Sequence, residues 1–155
     1  MRKYLTLFWR KLFNPIWSFI INLIYWSIRL YKLKRTIQKK KLLLKLNIAD
    51  LMKRFKWKED NLKDWTPWII TIIDKEFEDD CDGAANLAKW WCKNNNLPAK
   101  LLYMYSLDYS HGHVICITED NKIYISNSNV VHLISNDYRH EIIKNFGGKY
   151  PNLIF

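Results

Sequence analysis

The sequence predicts an α+β fold, in which helices come first and pack on a small antiparallel sheet. Residues 81–93 place small and apolar side chains on one helix face. Residues 99–105 alternate apolar side chains as a strand does, and residues 113–118 and 122–128 read as a hairpin. Helix and strands therefore belong to one mixed domain.

The positive charge of the chain is confined to its first third. Residues 1–60 hold 16 Lys or Arg against 3 Asp or Glu, whereas residues 61–155 hold 9 against 12. We therefore predict a basic helical N-terminal region at residues 1–54 and a globular domain at residues 55–155. An anionic partner should meet the first of these.

The N-terminal region carries an uncharged, aromatic stretch between basic flanks. Residues 12–28 contain no charge, and their length is at the lower limit for a spanning helix. No small-residue cleavage site follows, so we expect no cleaved signal peptide. Several amphipathic aromatics suit the boundary of a membrane. The aromatics are Trp9, Trp17, Tyr25, Trp26 and Tyr31, and the flanks are Arg2, Lys3, Arg10 and Lys11 before and Arg29, Lys32, Lys34 and Arg35 after.

Several partners fit this pattern. The stretch can span a membrane, lie on an anionic membrane surface, or pack on a protein partner or on the globular domain, because one apolar stripe serves each purpose. Nucleic acid is a weaker option than these, because the lysines are not interleaved with the polar residues that usually contact it. The helical pattern continues to about Asn47, and a short amphipathic piece at residues 48–55 leads to the predicted boundary at residues 56–60.

The globular domain is predicted to open with two helices. Thr66 followed by Pro67 has the form of a helix start, and the apolar residues after it should be core. Asp79 or Asp80 can cap the second helix, which places Cys81 in its first turn. A helix N-terminus stabilises a thiolate, although the neighbouring carboxylates oppose that charge.

The hairpin pattern predicts which side chains meet Cys81. With a three-residue turn at residues 119–121, Ile117 faces Ile123 and His113 faces Asn127. A slip of one residue would separate His113 from Asn127, and we expect burial of the isoleucine face to select the register that joins them. Imidazole beside a thiol, held by an amide oxygen, is the arrangement of a Cys–His–Asn site.

Four segments of the chain resemble the successive motifs of transglutaminase-like cysteine proteinases, and most closely their compact bacterial and phage branch. They are residues 80–85 (DCDGAA), 97–102 (LPAKLL), 113–117 (HVICI) and 123–127 (IYISN). The resemblance covers about residues 55–145. It implies a papain-related fold with a Cys-bearing helix on an antiparallel sheet, and acyl transfer through a thioester.

The resemblance assigns Cys81 as nucleophile, His113 as base and Asn127 as third member. Asp79 stands where the family has Gly, and Asn127 stands where this branch more often has Asp. We therefore expect a cysteine peptidase or amidase-type hydrolase that acts on a peptide or isopeptide bond. The alternative is an inactive relative that serves as a binding or structural module, for instance in a phage particle. Cell-wall endopeptidases share a Cys helix before a His strand, but their spacing fits less well.

The remaining cysteines and histidines have no assigned chemistry. Three cysteines leave one over from any disulfide framework, so we expect a reducing compartment, cytoplasmic or at a membrane surface, or a virion. The sequence has neither zinc-site spacing nor a phosphate-binding loop, and we expect no cofactor. His111 is expected to lie in a loop near the cleft, because the strand pattern gives the position opposite Asn127 to His113. Cys92, Cys116, His132 and His140 complete this set.

Overall fold

The computed structural model describes residues 5, 8, 12–59 and 66–155. Its helices are α1 (Asn14–Leu43), α2 (Ile48–Met52), α3 (Ile69–Asp74), α4 (Cys81–Asn94) and α5 (Tyr138–Asn145). Its strands are β1 (Lys56–Trp57), β2 (Glu78–Asp79), β3 (Ala99–Tyr105), β4 (Gly112–Thr118), β5 (Ile123–Ser126), β6 (Asn129–His132) and β7 (Asn152–Ile154). Outside the described residues lie the predicted basic flank Arg2, Lys3, Arg10 and Lys11, the predicted interfacial Trp9, and Asp60 of the predicted boundary.

The main sheet has five strands in the order β6-β5-β4-β3-β7, and every neighbouring pair is antiparallel. A separate two-residue parallel pair joins β1 to β2. The predicted α+β class with a small antiparallel sheet is therefore confirmed. Helix α4 begins at Cys81 with Asp80 as its N-cap, as the sequence predicts.

The main sheet is covered on both faces. On the first face α4 packs against β4 through small buried residues such as Ala88 and Cys92, which let helix and sheet approach closely. On the second face Ile115, Ile117 and Tyr124 pack with Ile142 of α5. Neither face is therefore solvated as in a simple hairpin.

The hairpin register predicted from the isoleucines is wrong by one residue. Ile117 lies opposite Tyr124, and Cys116 lies opposite Ile125. The loop between β4 and β5 has four residues, 119–122, instead of three. Asn121 takes a left-handed backbone with φ of 56°, a conformation that asparagine tolerates better than most residues.

Helix α1 turns polar side chains toward the rest of the protein. Asn22 is fully buried, and its amide donates to the Ser18 and Thr66 carbonyls (2.7 and 3.1 Å). Its oxygen accepts from the Trp68 backbone N–H (2.8 Å) and the Thr71 hydroxyl (2.9 Å). Each polar atom of this side chain is thus satisfied where α1 meets α3.

These contacts explain why the predicted helix start at Thr66 and Pro67 is wrong. Helix α3 begins at Ile69, with Trp68 as an N-cap whose side chain makes no capping bond. The Thr66 N–H donates instead to the Ser18 hydroxyl (2.6 Å), and α1 holds the Thr66 carbonyl. Side chains of α1 therefore bind the backbone that the prediction assigned to the first turn of α3.

The N-terminal segment contributes to the main core. Leu43, Leu51, Met52 and Phe55 are buried in the same cluster as Leu87 of α4. The predicted boundary at residue 55 thus lies within a continuous hydrophobic core. Within the described residues, no helix combines the length and apolar character needed to cross a membrane.

Candidate active site

A cavity of about 490 Å³ brings the three predicted site residues together. It lies where the first turn of α4 meets the start of β4 and the end of β5. Cys81, His113 and Asn127 all line it, although they come from separate segments of the chain. The C-terminal part of the chain contributes aromatic and basic side chains to its lining. The remaining lining residues are Trp57, Glu59, Asp80, Gly112, Phe146, Lys149 and Tyr150.

Cys81 is the first residue of α4, and its thiol is half-buried. The Asp82 N–H donates to the Asp80 carboxylate (2.9 Å), which caps the helix. The capping carboxylate is thus committed to the backbone of the first turn. The thiol lies at the positive end of the helix dipole, where a negative charge is stabilised.

The buried Asp79 next to the site is neutralised by a neighbour. Its carboxylate accepts from Lys75 Nζ (3.2 Å) and from the Asp80 backbone N–H (3.1 Å). The positive charge of Lys75 opposes the effect that the Asp79 carboxylate would otherwise have on a thiolate at Cys81. The sequence alone did not predict this ion pair.

The His113 imidazole lies on the second face of the sheet, in contact with two aromatic rings that also contact each other. Its centroid is 5.3 Å from that of Phe146 and 5.9 Å from that of Tyr150, with which it stacks. Burial lowers the pKa of His113 to about 4, and the nearby charge of Lys149 acts in the same direction. The ring is therefore a neutral base at physiological pH.

The hydrogen bond of the imidazole goes to Ser126. His113 Nε2 lies 2.9 Å from Ser126 Oγ, whereas the sequence predicted Asn127 as the partner. The shifted register explains the difference, because Ser126 and not Asn127 takes the place beside His113 on this face. Sequence reasoning missed Ser126. The available signal was the Asp120–Asn121 pair, which suits a longer turn and hence the observed register.

Asn127 lines the cavity without binding the imidazole. It follows the last residue of β5 and has a left-handed backbone with φ of 49°, which breaks the strand alternation. Its Oδ1 is buried, and no described residue donates a hydrogen bond to it. A buried acceptor of this kind normally has a donor, which can be an ordered water molecule or a bound ligand.

One group of side chains at the site has metal-ligating chemistry. Ligand atoms of Asp80, Cys81 and Asp82 lie within 4.8 Å of one another. Asp80 already caps α4, and Asp82 lies 3.4 Å from the Thr66 hydroxyl. The absence of a cofactor stays a prediction.

The other histidines and cysteines lie apart from these contacts. His111 is in the exposed loop before β4, where its Nδ1 lies 2.8 Å from Ser110 Oγ. The Cys92 and Cys116 thiols are buried between α4 and β4, and the neighbouring Cys92 thiol together with burial raises the pKa of Cys116. His132 and His140 are exposed, at the end of β6 and on α5.

Comparisons of the chain with models of protein families, with curated proteins and with solved structures give no match.

Proposed function

We propose that the chain is a cysteine hydrolase that cleaves a peptide or isopeptide bond through a thioester. The observation that carries this proposal is the shared cavity of Cys81, His113 and Asn127. A thiol at a helix N-terminus and a neutral imidazole in one cavity are the minimum parts of a nucleophile and base pair. The resemblance to transglutaminase-like proteinases points to the same chemistry.

The proposed reaction begins with a neutral imidazole. Ser126 occupies Nε2 of His113, so Nδ1 is the nitrogen left to accept the thiol proton of Cys81. Sulfur then attacks the carbonyl carbon, and the carbonyl oxygen gains negative charge. The Cys81 backbone N–H, in the first turn of α4, would stabilise that oxyanion. The imidazolium returns its proton to the leaving amine, and water hydrolyses the thioester.

The low pKa of His113 determines when the proton moves. With a pKa of about 4, the free imidazole holds a proton too weakly to favour a resting thiolate–imidazolium pair. Proton transfer and attack on the carbonyl would therefore occur together. The thiol proton would therefore move to His113 only when a substrate is bound, and no thiolate–imidazolium pair would exist before that.

Two residues, Ser126 and Asn127, share the role of the third residue of the catalytic site, the one that orients the imidazole. Ser126 holds the ring, but its hydroxyl both donates and accepts, so it does not fix one tautomer. Asn127 Oδ1 only accepts, and a substrate amide would supply the N–H that it lacks. We propose that Asn127 completes the site when substrate is bound.

A non-catalytic binding module is the second candidate. The observation that favours it is the hydrogen bond of His113 to Ser126, since among the described residues the ring bonds to neither Cys81 nor Asn127. In this case the cavity would hold a peptide without cleaving it. The thiol of Cys81 would then react as an ordinary cysteine.

Alkylation of Cys81 by iodoacetamide separates the two candidates. Wild type and His113→Ala are treated across a pH series, and mass spectrometry resolves Cys81 from Cys92 and Cys116. For a hydrolase we expect the His113 imidazole to accept the thiol proton as the sulfur attacks iodoacetamide, so that Cys81 of wild type reacts faster near neutral pH than Cys81 of His113→Ala by about tenfold or more. His111→Ala is the matched control and should react as wild type does.

Equal rates in wild type and His113→Ala would support the binding module.

If the rate does depend on His113, the variants Ser126→Ala and Asn127→Ala identify the residue that orients its ring. We expect Ser126→Ala to slow alkylation more than Asn127→Ala, because Ser126 holds the ring when no substrate is bound. The reverse order would mean that the ring turns toward Asn127 in solution.

A further inference from the structure

Helix α1 is amphipathic in the inverted sense. Its polar Asn14, Ser18 and Asn22 are buried against the protein, whereas large apolar side chains on the opposite face are exposed. Leu23 is 47% exposed and Ile28 is 72% exposed. Soluble proteins rarely expose contiguous apolar surface of this kind unless something binds it. The outer face is defined here by Ile20, Leu23, Ile24, Ile28, Leu30 and Tyr31.

Contacts on the inner side fix α1 in this orientation. Trp26 Nε1 donates to the Thr71 hydroxyl (2.9 Å), and Arg29 forms an ion pair with Asp74 (3.0 Å) that also engages the Tyr25 hydroxyl. Together with the hydrogen bonds of Asn22 to Thr66, Trp68 and Thr71, these contacts join α1 to α3 and to the residues just before it. The outer face therefore cannot turn inward without leaving buried polar groups unsatisfied.

The charge of α1 complements an anionic surface. No Asp or Glu occurs between residues 14 and 43, whereas seven Lys or Arg follow from residue 29 onward. Lys34, Arg35 and Lys41 are exposed, one to three turns beyond the apolar part of the outer face. Apolar side chains followed by basic ones are the combination by which interfacial helices bind anionic bilayers.

We propose that the outer face of α1 binds the surface of an anionic phospholipid bilayer, with the axis of residues 14–28, which precede a kink at Arg29 (φ −119°, ψ 21°), in the plane of the membrane. Residues 14–28 extend about 22 Å as a helix, which is shorter than the hydrocarbon core of about 30 Å. A spanning arrangement would also pull Asn22 and Arg29 away from α3. A second copy of the chain is a poorer occupant, because two such basic helices would repel each other.

This inference does not depend on the proposed hydrolase, since it uses no residue of the cavity. The test is flotation of the full chain with vesicles of phosphatidylcholine alone and of phosphatidylcholine mixed with phosphatidylglycerol. We expect the chain to float with the mixed vesicles and Cys81→Ala to float equally well. Added sodium chloride should weaken the binding, because it screens the lysines and arginines.

Two variants of the outer face test which side chains insert. Leu23→Asp combined with Ile24→Asp should lower partition into mixed vesicles by about tenfold or more. The matched control is Leu107→Asp combined with Ile134→Asp, which also replaces two exposed apolar residues but away from α1. The control should bind as wild type does, and near-ultraviolet circular dichroism should confirm that both variants are folded.

Charge is tested separately with Lys34→Gln combined with Arg35→Gln, which should weaken binding to mixed vesicles by about tenfold. Three results would overturn the proposal. They are no flotation with either vesicle, equal flotation with neutral and mixed vesicles, and equal loss in the outer-face variant and its control. Concentration-dependent self-association that Leu23→Asp with Ile24→Asp abolishes, without vesicle binding, would assign the face to a second copy instead.

Discussion

At the scale of single residues, the environment of His113 decides its charge. Aromatic rings on one side and the Lys149 ammonium nearby both disfavour the imidazolium. Ser126 satisfies one ring nitrogen without imposing a tautomer. The side chain is therefore ready to accept a proton but costly to keep protonated in the folded state.

This environment predicts a loss of stability in acid. The unfolded chain binds a proton at His113 below about pH 6.5, whereas the folded chain does so only near pH 4, so acidification through this window favours unfolding. We expect wild type to lose about 2–3 kcal/mol more than His113→Gln between pH 7 and pH 4. Urea unfolding at a series of pH values measures this difference.

The exposed His132 supplies the control for this measurement, and His132→Gln should lose as much stability as wild type. A variant at His113 that loses as much as wild type would mean that the ring is protonated in the folded protein at mildly acidic pH. Such a ring could hold a resting ion pair with a thiolate, which the proposed mechanism does not include.

At the scale of elements, β2 and α4 lie so close together at Gly83 that no side chain fits between them. A Cβ added to Gly83 would lie 2.5 Å from Asp79 Oδ2 and 2.6 Å from Asp79 Cβ. Asp79 is fully buried and bonded to Lys75, so its side chain has little room to move. The first turn of α4, and with it the position of Cys81, depends on this contact.

We expect Gly83→Ala to lower the free energy of unfolding by about 1–3 kcal/mol, because the added methyl overlaps Asp79. In an Asp79→Gly background the overlapping atoms are gone, and alanine should instead stabilise the helix by up to about 1 kcal/mol. Denaturant unfolding of the two single variants and the double variant measures this coupling. Equal effects of Gly83→Ala in both backgrounds would contradict the contact.

The sequence predicts some of these helices and strands correctly but not the register in which β4 and β5 pair. The bounds of α4 and β3 and the N-cap Asp80 could be predicted, because capping and periodicity are local properties. The β4–β5 register could not, because the argument assumed one buried face. With both faces covered, Ile115 and Ile117 are buried on one side while Ile125 is buried on the other, so apolar burial does not distinguish the two registers.

At the scale of the whole molecule, the hydrophobic core extends across the predicted boundary at residue 55, because Leu43, Leu51 and Met52 belong to the same cluster as Leu87. The charge of the N-terminal third predicted a boundary, and charge does describe its surface, where the lysines lie. Charge does not describe its buried side chains, because Leu51 and Met52 pack in the hydrophobic core against α4. A composition shift along a sequence therefore does not locate the edge of a hydrophobic core.

We expect the described molecule to unfold as one cooperative unit. Leu51→Ala should lower the free energy of unfolding by about 2–4 kcal/mol, as should Leu87→Ala on the other side of the predicted boundary, because both side chains are fully buried. Lys53→Ala, on the exposed side of the same segment, should change it little. Tryptophan fluorescence and far-ultraviolet circular dichroism should give coincident transitions in each variant, and separate transitions would indicate two units.

Phe146, Lys149 and Tyr150, which line the cavity, lie in the part of the chain that joins the sheet last. The strands β3 to β6 form a meander of sequential neighbours, so they can pair early, whereas β7 must return to β3 across about fifty residues. The Phe146 and Tyr150 rings that contact His113 directly precede β7, so they reach the sheet together with this late pairing. If the proposed hydrolase is correct, a chain still being synthesised would therefore carry the Cys81 thiol before the aromatic side chains beside His113 have been added to its cavity.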